Sequence, residues 1–210
     1  MKAKRRSPLA ALIVLVTLCM FAGIRPVSAQ TGQGVVYWTD GSSYEAFLVP
    51  GGITWSAAEA NAVALGGHLA SIHSQAQDDF VFNLIDSQAF WQPNVPGQGT
   101  YEYGPWIGGE LEGGAWDWSD GSTFQYSNWA PGQPDDYDGV EDAIQFYGFT
   151  ISDTWNDENG NYSYPSSNPI PENVGYVVEW APAAVPEPGT WALIGIGIPL
   201  FLRMRRRWSN

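Results

Sequence analysis

The chain has 210 residues and a formal net charge of −13, from nine Lys and Arg against 22 Asp and Glu. Five of the cations fall in residues 1–29 and four in residues 203–210, so the long section between them carries every acid and no Lys or Arg. Such a section cannot neutralise phosphates, which argues against nucleic acid, and where its carboxylates crowd they need water or a metal. Residues 1–29 read as an export signal: Lys2, Lys4, Arg5 and Arg6 form a basic start. An apolar run over 9–24 follows, then Val27-Ser28-Ala29 as a small-residue cleavage site. A retained N-terminal anchor is the rival reading. The single cysteine, Cys19, lies in this segment, so the processed chain has no disulfide although it enters a compartment that permits one.

Between the signal and residue 180 there is room for one domain with a real core, and no internal repeat is visible. Residues 44–49 (YEAFLV) suit a first strand. Thr54 opens a helix whose apolar positions fall at Trp55, Ala58, Ala62 and Leu65, ended by Gly66-Gly67. Residues 69–72 alternate as a short strand, and Ser74 caps a second helix with Phe80, Val81 and Leu84 inward. Residues 92–105 form a polar insertion without a chemical signature. Residues 106–109 (WIGG) read as a core strand, and Ala115 to Trp118 with Asp120-Gly121 as a strand and turn. Trp116 and Trp118 are expected in the core rather than against a ligand. Residues 143–146 suit a central strand, and residues 175–180 a closing strand beside the first. Two helices, short strands and long Gly/Pro loops make an α+β domain.

The chemistry concentrates between Trp129 and Asp157. Gln133, Asp135, Glu141, Asn156 and Asp157 are hard oxygen donors without a thiol or imidazole among them. Calcium takes roughly 6–8 oxygens, so these side chains with a backbone carbonyl nearly fill its shell and leave two positions for vicinal hydroxyls. Pro134 allows a cis bond that would turn Gln133 and Asp135 towards one point. Taken alone, Gly-Gln-Pro-Asp-Asp-Tyr is also an ordinary polar turn. Glu141-Asp142 and Trp155-Asn156-Asp157 favour the metal. His68 and His73 are the only histidines, and no motif pairs a nucleophile with a base, so no enzyme is expected.

The order Trp106-Ile107-Gly108-Gly109, Asn128-Trp129, Gln133-Pro134-Asp135, Glu141-Asp142, Trp155-Asn156-Asp157 and Tyr176 to Trp180 (YVVEW) resembles the C-type lectin-like domain. The resemblance covers about residues 36–180 and implies the C-type lectin-like fold, with short antiparallel strands and long calcium-binding loops. It implies Ca2+ held by Gln133, Asp135, Glu141, Asn156 and Asp157, with the same groups hydrogen-bonding sugar hydroxyls. Gln-Pro-Asp is the order of galactose-type members, and Tyr137 stands where those members carry an aromatic that stacks on the sugar. Asp136 and Asp142 would belong to a second, structural calcium site, although Glu110 and Glu112 do not align cleanly with its other ligands. The family's cysteine positions fall near Ala62, Ala143 and Val178, so the bridges are replaced by core. Losing a native bridge typically costs ~2–5 kcal/mol, which packing and metal must offset.

Residues 181–190 (APAAVPEPGT) form a Pro/Ala linker. The apolar run 191–202 would span about 18 Å as a helix, short of the ~20 residues a bilayer needs, and with the arginine tail that follows it makes up residues 191–210. Val185-Pro186-Glu187-Pro188 with that tail resembles the bacterial PEP-CTERM sorting signal. This resemblance implies transient membrane attachment, removal by an exosortase-type processing enzyme, and a cell-surface or matrix location in an exopolysaccharide-making bacterium. A weak tail anchor is the alternative. The expected function is calcium-dependent binding of carbohydrate or polysaccharide; the alternative is a structural or protein-binding module in which calcium only stiffens loops.

Overall fold

Short elements follow from a sequence broken by 24 glycines and 15 prolines. The computed structural model describes residues 30–93, 101–161 and 173–183. The segment read as an export signal (1–29), most of the expected linker and the whole tail (184–210), part of the insertion (94–100) and part of the loop after Glu158 (162–172) lie outside the described residues. In chain order the strands and helices are β1 (Thr31–Gly32), β2 (Val36–Tyr37), β3 (Ser43–Leu48), α1 (Trp55–Ala64), β4 (His68–Leu69) and α2 (Gln75–Phe82). There follow β5 (Gln92–Pro93), β6 (Glu102–Glu112), β7 (Ala115–Trp118), β8 (Ala143–Gly148), β9 (Trp155–Glu158) and β10 (Gly175–Trp180). The helices begin where side-chain oxygens can cap them. Thr54 accepts from Ala57 N, and Ser74 from Gln77 N. Gly66, at φ +85°, takes the left-handed conformation that turns the chain out of α1.

The sheet runs β1-β3-β10-β6-β8-β9. Its pairs are antiparallel except β10 with β6, where Tyr176 faces Trp106. Pairing of Gly175 with Leu48 through Trp180 with Ser43 joins the first and last long strands. Strand alternation sends successive residues to two buried faces. Ile107, Ile144 and Val177 join Val81 of α2 in one cluster; Trp106, Ala143, Tyr176 and Val178 join Ala58 and Ala62 of α1 in the other. The three positions where family cysteines were expected, Ala62, Ala143 and Val178, are thus packed core.

Three sequence expectations change. Leu65 is 45% exposed, so the apolar face of α1 meets the sheet through Trp55, Ala58 and Ala62 and not through Leu65. The segment 69–72 does not alternate, because Leu69, Ala70, Ser71 and Ile72 are all buried. It is enclosed on two sides: Ala70 N donates to Val177 O, and Ala70 O accepts from Gly108 N. The insertion read over 92–105 ends at residue 101, since Glu102 and Tyr103 pair with Gly148 and Tyr147 as the start of β6.

Gly108 is required by this packing. A Cβ there would lie 2.6 Å from the Leu69 carbonyl oxygen and 3.0 Å from Ser119 Oγ. The nearer obstacle is backbone and cannot rotate away. Gly108→Ala should cost about 1–3 kcal/mol and lower the melting temperature by about 3–10 °C; an unchanged thermal melt would refute this account of the glycine.

Candidate metal centre

Strand β9 is the platform. It pairs with β8 from Ala143 opposite Glu158 to Phe146 opposite Trp155. Residues 128–130 run along its other side: Trp155 N donates to Asn128 O at 2.9 Å, and Ala130 N to Trp155 O at 2.8 Å. From this launch point the chain turns through the cis Gln133–Pro134 bond and a short 3₁₀ turn at Tyr137–Gly139. Asp136 (φ 45°) and Asp138 (φ 58°) adopt the left-handed conformation, which aspartate tolerates better than most residues. The loop is then pinned to β9 by backbone donors. Asp157 Oδ1 accepts from Asp135 N at 3.1 Å and its Oδ2 from Asp136 N at 2.9 Å. Glu141 Oε2 accepts from Tyr137 N at 2.7 Å.

This folding brings one carboxylate oxygen each from Asp135, Glu141 and Asp157 within 4.8 Å of one another. Asp135 is exposed, whereas Glu141 is 7% and Asp157 1% exposed. Burial pushes the Glu141 carboxyl up to about 8, helped by Glu158, Asp157 and Asp135. Asp157 is raised as well, first by burial. Acids so close, two of them buried, cannot all be charged at little cost without a cation, and the section from 30 to 202 has no Lys or Arg to supply one. Gln133 Oε1 is buried with no hydrogen-bond partner among the described residues. Asn156 is also buried, its Nδ2 donating to the Asp157 carbonyl. An all-oxygen set with an unpaired amide acceptor fits a hard divalent cation such as calcium.

Other sequence candidates stand apart. Asp136 Oδ1 accepts from Glu141 N at 3.3 Å, and Asp142 Oδ1 from Gly160 N at 2.7 Å. Neither joins the convergent group, nor do Glu110 and Glu112, and among the described residues no other set of three acids, histidines or cysteines is brought together. Burial raises Glu110, with Glu112, Glu59, Asp142 and Asp117 adding to the effect. Tyr137 projects from the loop, 68% exposed. His73 lies near Ser122 and Asp120, but Asp120 Oδ1 accepts from Ser122 Oγ at 2.6 Å instead of orienting the imidazole. The contacts run in the wrong order for a nucleophilic triad.

The platform has a support that sequence reading missed. Asp78 of α2, fully buried, accepts from Trp155 Nε1 (3.2 Å), Tyr126 OH (3.0 Å) and Asn128 Nδ2 (2.9 Å). Burial lifts its carboxyl to about 7 against the pull of those donors.

A family model described as the lectin C-type domain matches residues 52–166, more than half of the chain. The chain belongs to this family. The C-type lectin domain here is 37% identical over 115 residues to ladderlectin of Oncorhynchus mykiss, covering 54% of this chain and 55% of that protein. It is 36% identical over 110 residues to the galactose-specific lectin nattectin of Thalassophryne nattereri, covering 51% and 63%. Over 86 residues it is 41% identical to a type-2 ice-structuring protein of Hemitripterus americanus, covering 40% and 43%. The chain therefore spans about half the length of the curated relatives it matches. Among solved structures, the cow C-type carbohydrate-recognition domain of CD23 matches with a TM-score of 0.53 at 25% identity, over 72% of this chain and 96% of that one. The C-type lectin fold and its α+β class are those expected from the sequence.

Proposed function

We propose that this C-type lectin domain binds carbohydrate through calcium, with a galactose-type preference. The convergence of Asp135, Glu141 and Asp157 carries the reading. With Gln133 and Asn156 they would hold the ion, which when bound supplies two coordination positions for vicinal sugar hydroxyls. Around those positions the carboxylates accept from hydroxyls and the amides donate to them. The exposed Tyr137 ring can lie against the apolar face of a sugar, worth about 1 kcal/mol. The order Gln133-Pro134-Asp135 and the galactose-specific name of one relative support the sugar class.

Residues 1–29 and the PEP-CTERM-like residues 181–210 extend the proposal to export, exosortase-type processing and a role at a bacterial surface or in an exopolysaccharide matrix. Among the described residues no helix is long and apolar enough to cross a membrane. One site per chain binds weakly, so adhesion would depend on many copies on one surface.

A second reading, a structural or protein-binding module, is favoured by two observations. Asp157 and Glu141 already tie down the loop through backbone donors. One relative is named for ice structuring, not for a sugar. Retention on galactose resin in millimolar calcium, release by a chelator and passage through mannose resin are the expected results. Passage through both resins, with a melting temperature that calcium still raises, would favour the second reading over binding to these sugars.

A further inference from the structure

Beside the convergent carboxylates lies a groove of about 410 Å³ lined by one of them, Asp135, and by the neighbouring Gln133. That volume is within the ~300–1,000 Å³ of small-molecule sites and exceeds what one sugar ring fills. Its opposite wall is aromatic. Tyr103 and Tyr147 are a cross-strand pair of β6 and β8, and two residues further along that register Tyr101 falls opposite Phe149. Residues two apart share a sheet face, so the four rings pack together, and three of them, Tyr101, Tyr147 and Phe149, line the groove. Tyr101 stacks on Tyr147 at 5.2 Å and 22°, and packs on Phe149 at 4.8 Å and 33°. Tyr147 meets Tyr103 at 5.4 Å.

The inner pair needs no explanation beyond sheet stabilisation. The outer pair does. Phe149 lies beyond β8 and is 64% exposed, although no strand pairing requires a large apolar side chain there. The backbone beside it turns tightly, since a Cβ on Gly148 would lie 2.7 Å from the Thr150 carbonyl oxygen, and its ring is held against Tyr101. A held, exposed ring at the mouth of a groove is a binding feature more than a packing one.

We propose that this groove is a second sugar subsite, which makes the domain a reader of neutral oligosaccharide chains and not of single terminal sugars. The proposal rests on the calcium-dependent carbohydrate reading. The ring next to the metal-bound sugar enters between Gln133 and Phe149, with its C–H face on Tyr101 and Phe149 and its hydroxyls towards Thr150 and the side chains beside it. The lining includes Asp135 and no cation, so uronic or sulfated rings are disfavoured and neutral hexoses fit.

The test titrates the full chain in calcium with neutral galactose- and mannose-ended saccharides of one to four rings. Tighter binding of chains of two rings or more than of the monosaccharide, by about five- to tenfold, is expected for one aromatic contact. Phe149→Ala and Tyr101→Ala should each erase that gain while the monosaccharide still binds. Because the Phe149 ring is largely exposed, its variant should melt near the wild type. Equal affinity for one ring and several overturns the subsite while leaving calcium-dependent sugar binding intact. Equal loss of all saccharides in both variants also overturns it, by reducing the rings to structural supports. Absence of calcium-dependent binding to every saccharide removes the carbohydrate reading and the subsite together.

Discussion

Glu141→Gln is expected to abolish the calcium-induced rise in melting temperature while leaving the calcium-free protein as stable as before or more so. Glutamine keeps an oxygen that can accept from Tyr137 N, so the loop retains its internal tie. What it removes is a carboxyl that can ionise amid Asp135, Asp157 and Glu158. Without the ion burial already keeps that carboxyl largely protonated at neutral pH, so little is lost; with it, a charged ligand is gone from a buried cluster, which lowers affinity by of order a hundredfold or more. Calcium at a hundred times its Kd stabilises by ~2.7 kcal/mol, or about 5–10 °C for a domain of this size. The wild type should show that rise and the variant should not. Asp157→Ala separates the two roles of its residue. It too should lose the calcium response, but it also strips the acceptors from Asp135 N and Asp136 N, at about 1–3 kcal/mol even without metal. Calcimetry and melts with and without chelator read both effects. A full calcium response in Glu141→Gln would remove the convergent carboxylates from the metal assignment.

The convergence of this loop's acids was legible because its information is local. Gln133 to Glu141 is one continuous stretch, and donor type, spacing and Pro134 can be read without knowing what packs against it. Asp157 was reachable because Trp155 and Asn156 flag its strand. Asp136 and Asp142 show the limit, since adjacent acids on one loop need not face one point. Asp142 instead turns to Gly160 N. Non-local features stayed hidden. The stretch 69–72 was read as alternating because a strand with one solvent face alternates, yet its contacts to Val177 and Gly108 bury it on both sides. Tyr101 fell in what looked like featureless insertion, and only the pairing of Tyr103 with Tyr147 brings it to Phe149. In α2 Asp78 was one polar residue of an amphipathic helix. Its partners lie 48 to 77 residues further along.

That network sets the other large expected effect. Asp78→Ala should cost about 2–4 kcal/mol and lower the melting temperature by about 5–15 °C. The cost is uneven among its donors. Tyr126 OH can still reach Gln75 Oε1 at 2.9 Å, and Asn128 Nδ2 the Asp153 carbonyl at 3.1 Å, while Trp155 Nε1 is left buried and unpaired. Asp78→Asn keeps an oxygen for that indole and should fall between Ala and wild type. It also exposes the pH dependence. The unfolded side chain ionises near ~4, and burial holds the folded one protonated up to about 7. Over that interval the folded state binds the extra proton, so the contribution is complete below about pH 4 and is lost as pH rises through about 7. The stability advantage of wild type over Asp78→Asn should therefore shrink from pH 4 to pH 7; an advantage that is constant or grows would refute the protonated reading. Because Asn128 and Trp155 launch the metal loop, Asp78→Ala should also weaken calcium binding although Asp78 is remote from the convergent carboxylates. Undiminished calcium affinity in a folded Asp78→Ala would show that the loop's own ties, through Asp157 and Glu141, suffice to shape the site.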